Sequence, residues 1–207
     1  MSRKDSGWRA IIGLRRVLHA FDPIVPETIL WVDPGESTGW AAWVTLPAVS
    51  NIDTVRTSFV RLGYDNIPTF FSGQLPWVAA CEDLYSILWQ FHRAVTVGWE
   101  DYLLTPGNRH HDPHALKVIG FLEWVTQRHS YLGEVQAPTV LTPQPSASRT
   151  LATTGNKLHR LGWYTPGERD SNAAAAHLLS YLLRAHRLPD DLLSRILPTE
   201  TVPHGGC

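Results

Sequence analysis

Cysteine is almost missing from this sequence: Cys81 and Cys207 are the only two among 207 residues. One lies in an apolar run and the other is the last residue, so they cannot build a disulfide framework, and a reducing compartment is expected. Long apolar stretches are missing too; no run approaches the roughly 20 residues a membrane helix needs. The first 21 residues carry basic side chains on both sides of a short apolar patch. They lack a proper apolar h-region and a small-residue cleavage site, which argues against a secretory signal and for a cytoplasmic protein. Nor is there an excess of positive charge: 18 Lys and Arg stand against 19 Asp and Glu, a net charge of −1. That excludes a chain-wide cationic surface for nucleic acid, though not a local one. Neither a Walker A loop nor a Rossmann glycine fingerprint after a strand occurs, and there is no internal repeat or low-complexity block.

What is present is an ordinary globular balance, 43% apolar and 18% charged. A chain of 207 residues allows one compact domain with trimmings and needs no disulfide or metal to fold. We divide it into an amphipathic N-terminal extension (1–26), a main domain (27–188) and a Pro-rich tail (189–207). Nine tryptophans are a heavy load of large amphipathic rings that must pack or stack somewhere.

Apolar residues at near-helical spacing predict a helix over 8–20. Ile29–Val32, closed by Asp33-Pro34-Gly35, fits a strand buried on both faces. Further strands are expected at 40–46 and about 53–62, then a short helix at 66–74 and a buried strand over Trp77–Glu82. Residues 86–112 form a long aromatic-rich region of undefined structure. Beyond it the pattern predicts a helix from Pro113 to about 130, a strand within Gly133–Leu141, and helices at 146–160, Asp170–Arg187 and 190–196. The order β-β-β-α-β-α-β-α-α predicts an α/β fold, a mixed sheet of about five strands flanked by helices.

Two of the expected strands end in acids, Asp33 and Glu82, and a third acid, Asp170, opens the long helix. An ionised acid at a buried strand end is costly without a positive partner, and a divalent cation is the natural one. Each acid also has a plainer role: Asp33 can cap a turn and Asp170 a helix. Asp33-Pro34-Gly35 also resembles the first hairpin of the actin and hexokinase class of ATPases, which need two such domains and a longer chain. Asp112 with His110, His111 and His114 offers a further set of possible ligands. No cysteine or HExxH helix accompanies them, so a zinc enzyme is disfavoured against a polar loop.

Ile29–Gly35 with Thr38-Gly39-Trp40-Ala41 resembles the first hairpin of RuvC-type Holliday junction resolvases. Val78–Glu82 is similar to that family's fourth strand, which carries its second acid. Lys117–Val125 resembles the helix that follows, Val140–Ser148 the strand-to-helix segment, and Arg169–His177 the last catalytic helix in its divergent, phage-type form. The resemblance spans about residues 28–187 and implies a ribonuclease H-like fold. It implies a nuclease that cleaves branched DNA with Mg2+, for which Mn2+ can substitute, through Asp33, Glu82 and Asp170. Two ions about 3.5–4 Å apart activate a water and stabilise the leaving oxygen in such chemistry. A homodimer is implied as well, with either the 113–130 helix or the N-terminal helix as its interface, and the host-cell cytoplasm if the chain is phage-encoded.

The family's fourth acid falls at Ala173, a departure, and His177 or Asn172 could complete the metal set instead. His177 could equally be a packed helix histidine. Asp83, Glu36 and Glu168 are either supporting neighbours or surface. Tyr85 stands where the family has an aromatic that stacks on unpaired bases, or is an ordinary core tyrosine. Thr142–Arg187 holds six basic residues and two acidic ones, a net +4, and Arg149, Lys157, Arg160 and Arg169 are candidate phosphate contacts. Alternative functions are a ribonuclease H-like nuclease for flaps, forks or RNA–DNA hybrids, and a non-catalytic branched-DNA binding protein.

Overall fold

The computed structural model describes residues 4–21, 26–47, 52–53, 56–57, 67, 69–91, 94–100, 112–131, 138–141 and 147–197. Helix α1 (Lys4–Ala20) precedes strands β1 (Glu27–Asp33), β2 (Ser37–Thr45) and β3 (Phe70–Pro76). Helix α2 (Trp77–Gln90), β4 (Val95–Trp99), α3 (Pro113–Tyr131) and the short β5 (Thr139–Val140) come next. Helices α4 (Ala147–Leu161), α5 (Arg169–Arg184) and α6 (Asp190–Ile196) complete the described elements.

The five strands form one mixed sheet in the order β3-β2-β1-β4-β5. β1, β2 and β3 make an antiparallel meander, while β4 and β5 run parallel to β1 and its neighbour. This is the ribonuclease H-like layout expected from the sequence. The period-2 alternation of β1 divides its side chains between two cores. Leu30 and Val32 join Ile11, Leu14, Leu18, Leu84, Ile87, Val118 and Leu122 on the face covered by α1, α2 and α3. Ile29 and Trp31 join Leu158, Ala174, Ala175, Leu178 and Ile196 on the face covered by α4, α5 and α6. Each fully buried aliphatic side chain contributes roughly 1.5–3 kcal/mol relative to exposure.

Several elements lie elsewhere than the sequence pattern places them. The strand expected at 53–62 is helical at residues 53 and 56–57, and its remaining positions lie outside the described residues. The third strand is Phe70–Pro76 instead, displacing the helix expected at 66–74. Trp77–Glu82 is the start of α2, not a strand. Its buried residues Ala80, Leu84, Ile87 and Leu88 follow a helical period, so this apolar run covers the sheet instead of joining it. The fourth strand lies within the 86–112 region, at Val95–Trp99. Of the strand expected within Gly133–Leu141, Thr139–Val140 forms β5 among the described residues, and the Leu141 N–H adds a bond to the Val97 carbonyl oxygen at 2.8 Å. No helix among the described residues is long and apolar enough to cross a membrane.

Candidate active site

The site forms where β1, β4 and α5 meet. Asp33 is the last residue of β1, paired with Gly39 across the hairpin. The neighbouring parallel strand β4 runs Trp31 beside Gly98 and Val32 beside Trp99. The Glu100 N–H then donates to the Val32 carbonyl oxygen at 3.1 Å, which carries the pairing one residue further and sets Glu100 next to Asp33. Asp170 comes from the first turn of α5, which lies directly on β2. A Cβ at Gly39 would overlap the Asp170 backbone carbonyl, so only glycine lets the helix approach this closely.

The Asp33 carboxyl is pushed up to about 9, first by burial, then by a side-chain hydrogen bond and charge repulsion from Glu100, and by the Asp170 charge. Arg169 beside it acts in the opposite direction. Two carboxyl groups can share a hydrogen bond only when one keeps its proton, so the pair holds a proton where two anions would repel. Asp170 is also raised by burial, against the lowering effects of a side-chain hydrogen bond with Ser37 and of Arg169. His177, two turns along α5, is fully buried, and its Nε2 lies 3.6 Å from Glu100 Oε2.

The donor chemistry here suits a hard divalent cation such as Mg2+ or Mn2+, which binds carboxylate oxygens and completes its shell with water and phosphate. Asp33 and Glu100 already converge closely enough to share a proton, and a cation would take that proton's place between them. Among the described residues, no three His, Cys, Asp or Glu side chains form a ready-made cage. The pair with Asp170 nearby is therefore a site that water and substrate would have to complete.

Other expected site residues fall elsewhere. Glu82 is solvent-exposed on α2; the nearby Cys81 thiol and Asp83 carboxyl are raised first by burial, to which the Glu82 charge adds. It is not part of the group around Asp33, because its segment is a helix on the opposite face of the sheet. Glu100 occupies the strand-end position instead. Glu100 is not among the acids the sequence pattern singles out, although its signal is readable: Val95-Thr96-Val97 is rich in β-branched residues, and the run ends in an acid.

Tyr85 lies on α2 in an aromatic group, stacked with Trp89 (centroids 5.8 Å apart) and Trp124 (6.2 Å). The Arg128 guanidinium lies over Trp89 and Trp124. Arg169 opens α5 at the site and is exposed; Arg160 is exposed on α4 and Lys157 half-buried there. Arg149 is in α4, with its side chain outside the described residues.

Asn172 is committed to the α4–α5 connection, bonding both the N–H and the carbonyl of Thr165 at 2.8 Å. Ala173 is buried and offers no oxygen. Glu168 is buried at the N-cap of α5, and Asp83 lies 3.8 Å from Arg15. Asp112 accepts N–H bonds from Glu36 and His114, which hold its carboxyl below the usual range although burial opposes them. It thereby ties the β1–β2 turn to the start of α3, while His110 and His111 lie outside the described residues. Comparison with family models, curated proteins and solved structures finds no match.

Proposed function

We propose that this chain is a divalent-cation-dependent endonuclease of RuvC type that acts on branched DNA, with four-way junctions the leading substrate. The observation that carries the proposal is the convergence of Asp33 and Glu100 from adjacent parallel strand ends with Asp170 from the helix packed on Gly39. Asp33 and Glu100 would hold the ion, with Asp170 beside them; when bound, Mg2+ or Mn2+ activates a water for attack on phosphorus and stabilises the leaving oxygen. The proton shared by Asp33 and Glu100 leaves when both act as anions. Arg169, next to Asp33 and Asp170, would hold a phosphate oxygen of the strand being cut. Lys157 and Arg160 on α4 are further candidate phosphate contacts. Two copies of the chain would put two such sites on opposing strands of one junction.

The test compares the wild-type chain with Asp33→Asn on a synthetic four-way junction, a flap and a linear duplex, each with Mg2+ and with Mn2+. Paired nicks near the crossover, absent in the variant, are expected. Equal cutting of flaps and junctions would widen the substrate to branched DNA in general. If the wild type cuts nothing with either cation yet still binds the junction in EDTA, the chain is a binding protein and the nuclease proposal fails.

A further inference from the structure

Beneath the two acids lies a layer formed by Trp31, Gly98 and His177. Trp31 and Gly98 are register partners on β1 and β4. Each stands two residues before an acid, Asp33 and Glu100, and so faces the same side of the sheet. A Cβ at Gly98 would come within 2.5 Å of the Trp31 ring, so the indole fills the space that a side chain at 98 would take. The His177 imidazole lies almost parallel to the indole, with centroids 5.7 Å apart and planes 13° apart. The ring is fully buried, and its Nε2 faces the Glu100 carboxylate at 3.6 Å.

We infer that His177 is a positioning residue that holds the Glu100 carboxyl toward Asp33, its ring plane set by Trp31 and thereby by the glycine at 98. It acts through Glu100 and is not itself a ligand of the cation. The physical reason is geometric. The Glu100 side chain has three torsions, and a packed imidazole at its back removes some of their alternatives before any ion arrives. A cation held by few protein ligands depends strongly on such preorganisation. This inference rests on the cation site proposed above.

The test is a Mn2+ titration of the full chain without DNA, read by thermal unfolding and by pulsed EPR of the bound ion. The wild type is expected to show a Mn2+-dependent rise in unfolding temperature, with no coupling from a directly bonded imidazole nitrogen. His177→Ala should raise the half-saturating Mn2+ concentration about 10–100-fold, the usual consequence of losing a residue that orients a ligand. His177→Gln, which keeps a polar group facing Glu100, should recover most of that loss. Trp31→Phe, which shrinks the plate under the imidazole but leaves His177 and the carboxyl groups in place, should shift the midpoint in the same direction by less. It decides the matter if His177→Ala does not fold. An unchanged midpoint in the folded variants, or a nitrogen-ligated signal in the wild type, overturns the positioning role and leaves the cation site standing. A wild type indifferent to Mn2+ overturns the cation site and the positioning role together.

Discussion

On the face of the sheet under α1, α2 and α3, strand β1 contributes Leu30 and Val32 to an apolar cluster with Trp40, Ala42, Leu84 and Val97. On the opposite face the same strand offers Ile29, Trp31 and then Asp33, covered by α5. The described residues include eight buried polar ones, and four of them, Glu168, Ser171, Asn172 and His177, belong to α5 or its cap. The polar load is thus concentrated on one side. One face supplies the hydrophobic burial that holds the sheet together, which leaves the other free to carry carboxyl groups in an unfavourable setting. Strand alternation makes the division possible, since neighbouring residues of β1 serve different faces.

The comparison breaks most severely at Gly39. In Gly39→Ala the new methyl group meets backbone on α5, which cannot rotate away. We expect a loss of about 3 kcal/mol or more by urea unfolding, together with loss of any cation response, because α5 and Asp170 are displaced. On the apolar face, Leu84→Ala should cost about 2–5 kcal/mol through the cavity it leaves, yet leave the Mn2+ midpoint of the folded protein where it was. A shifted midpoint would show that the two faces are not independent.

An effect of the opposite sign is expected at Asp33. Its carboxyl keeps a proton up to about 9 in the folded chain, against an ordinary 3.8. Between those values the native state binds more protons than the unfolded one, so stability falls as pH rises from about 4 to about 9. In EDTA the wild type should therefore unfold at a lower temperature at pH 8 than at pH 5. Asp33→Asn should flatten that slope and raise the unfolding temperature at pH 8, by roughly 2–4 °C for each kcal/mol recovered. A slope that persists in the variant would place its origin in other groups.

Much of this architecture is legible in the sequence. Ile29–Asp33 and the turn after it, and the helices from Pro113, Ala147 and Arg169, follow from local pattern. Asp33, Asp170 and His177 are readable in the same way, by their place at element ends or on one helix face. The two strands that local pattern misses, β3 and β4, share a feature: each contains a glycine that weakens its strand signal. At Gly73 a Cβ would come within 2.7 Å of the Gly7 Cα, so the glycine lets α1 lie on the sheet. At Gly98 the reason is the Trp31 ring on another strand. Both demands are tertiary, and no window along the chain displays them. Trp77–Glu82 poses the converse difficulty. A short apolar run has no period of its own, and Leu84, Ile87 and Leu88 beyond it set the period to that of a helix. Displacing the fourth strand in this way also moves the second acid from Glu82 to Glu100.

That displacement gives the most direct test of the central claim. Glu100→Gln and Glu82→Gln remove one negative charge each, from the strand end beside Asp33 and from the exposed face of α2. Cleavage of a four-way junction with Mg2+ should fall by orders of magnitude in Glu100→Gln and stay near wild type in Glu82→Gln. Full activity in Glu100→Gln, or its loss in Glu82→Gln alone, would contradict the site described here.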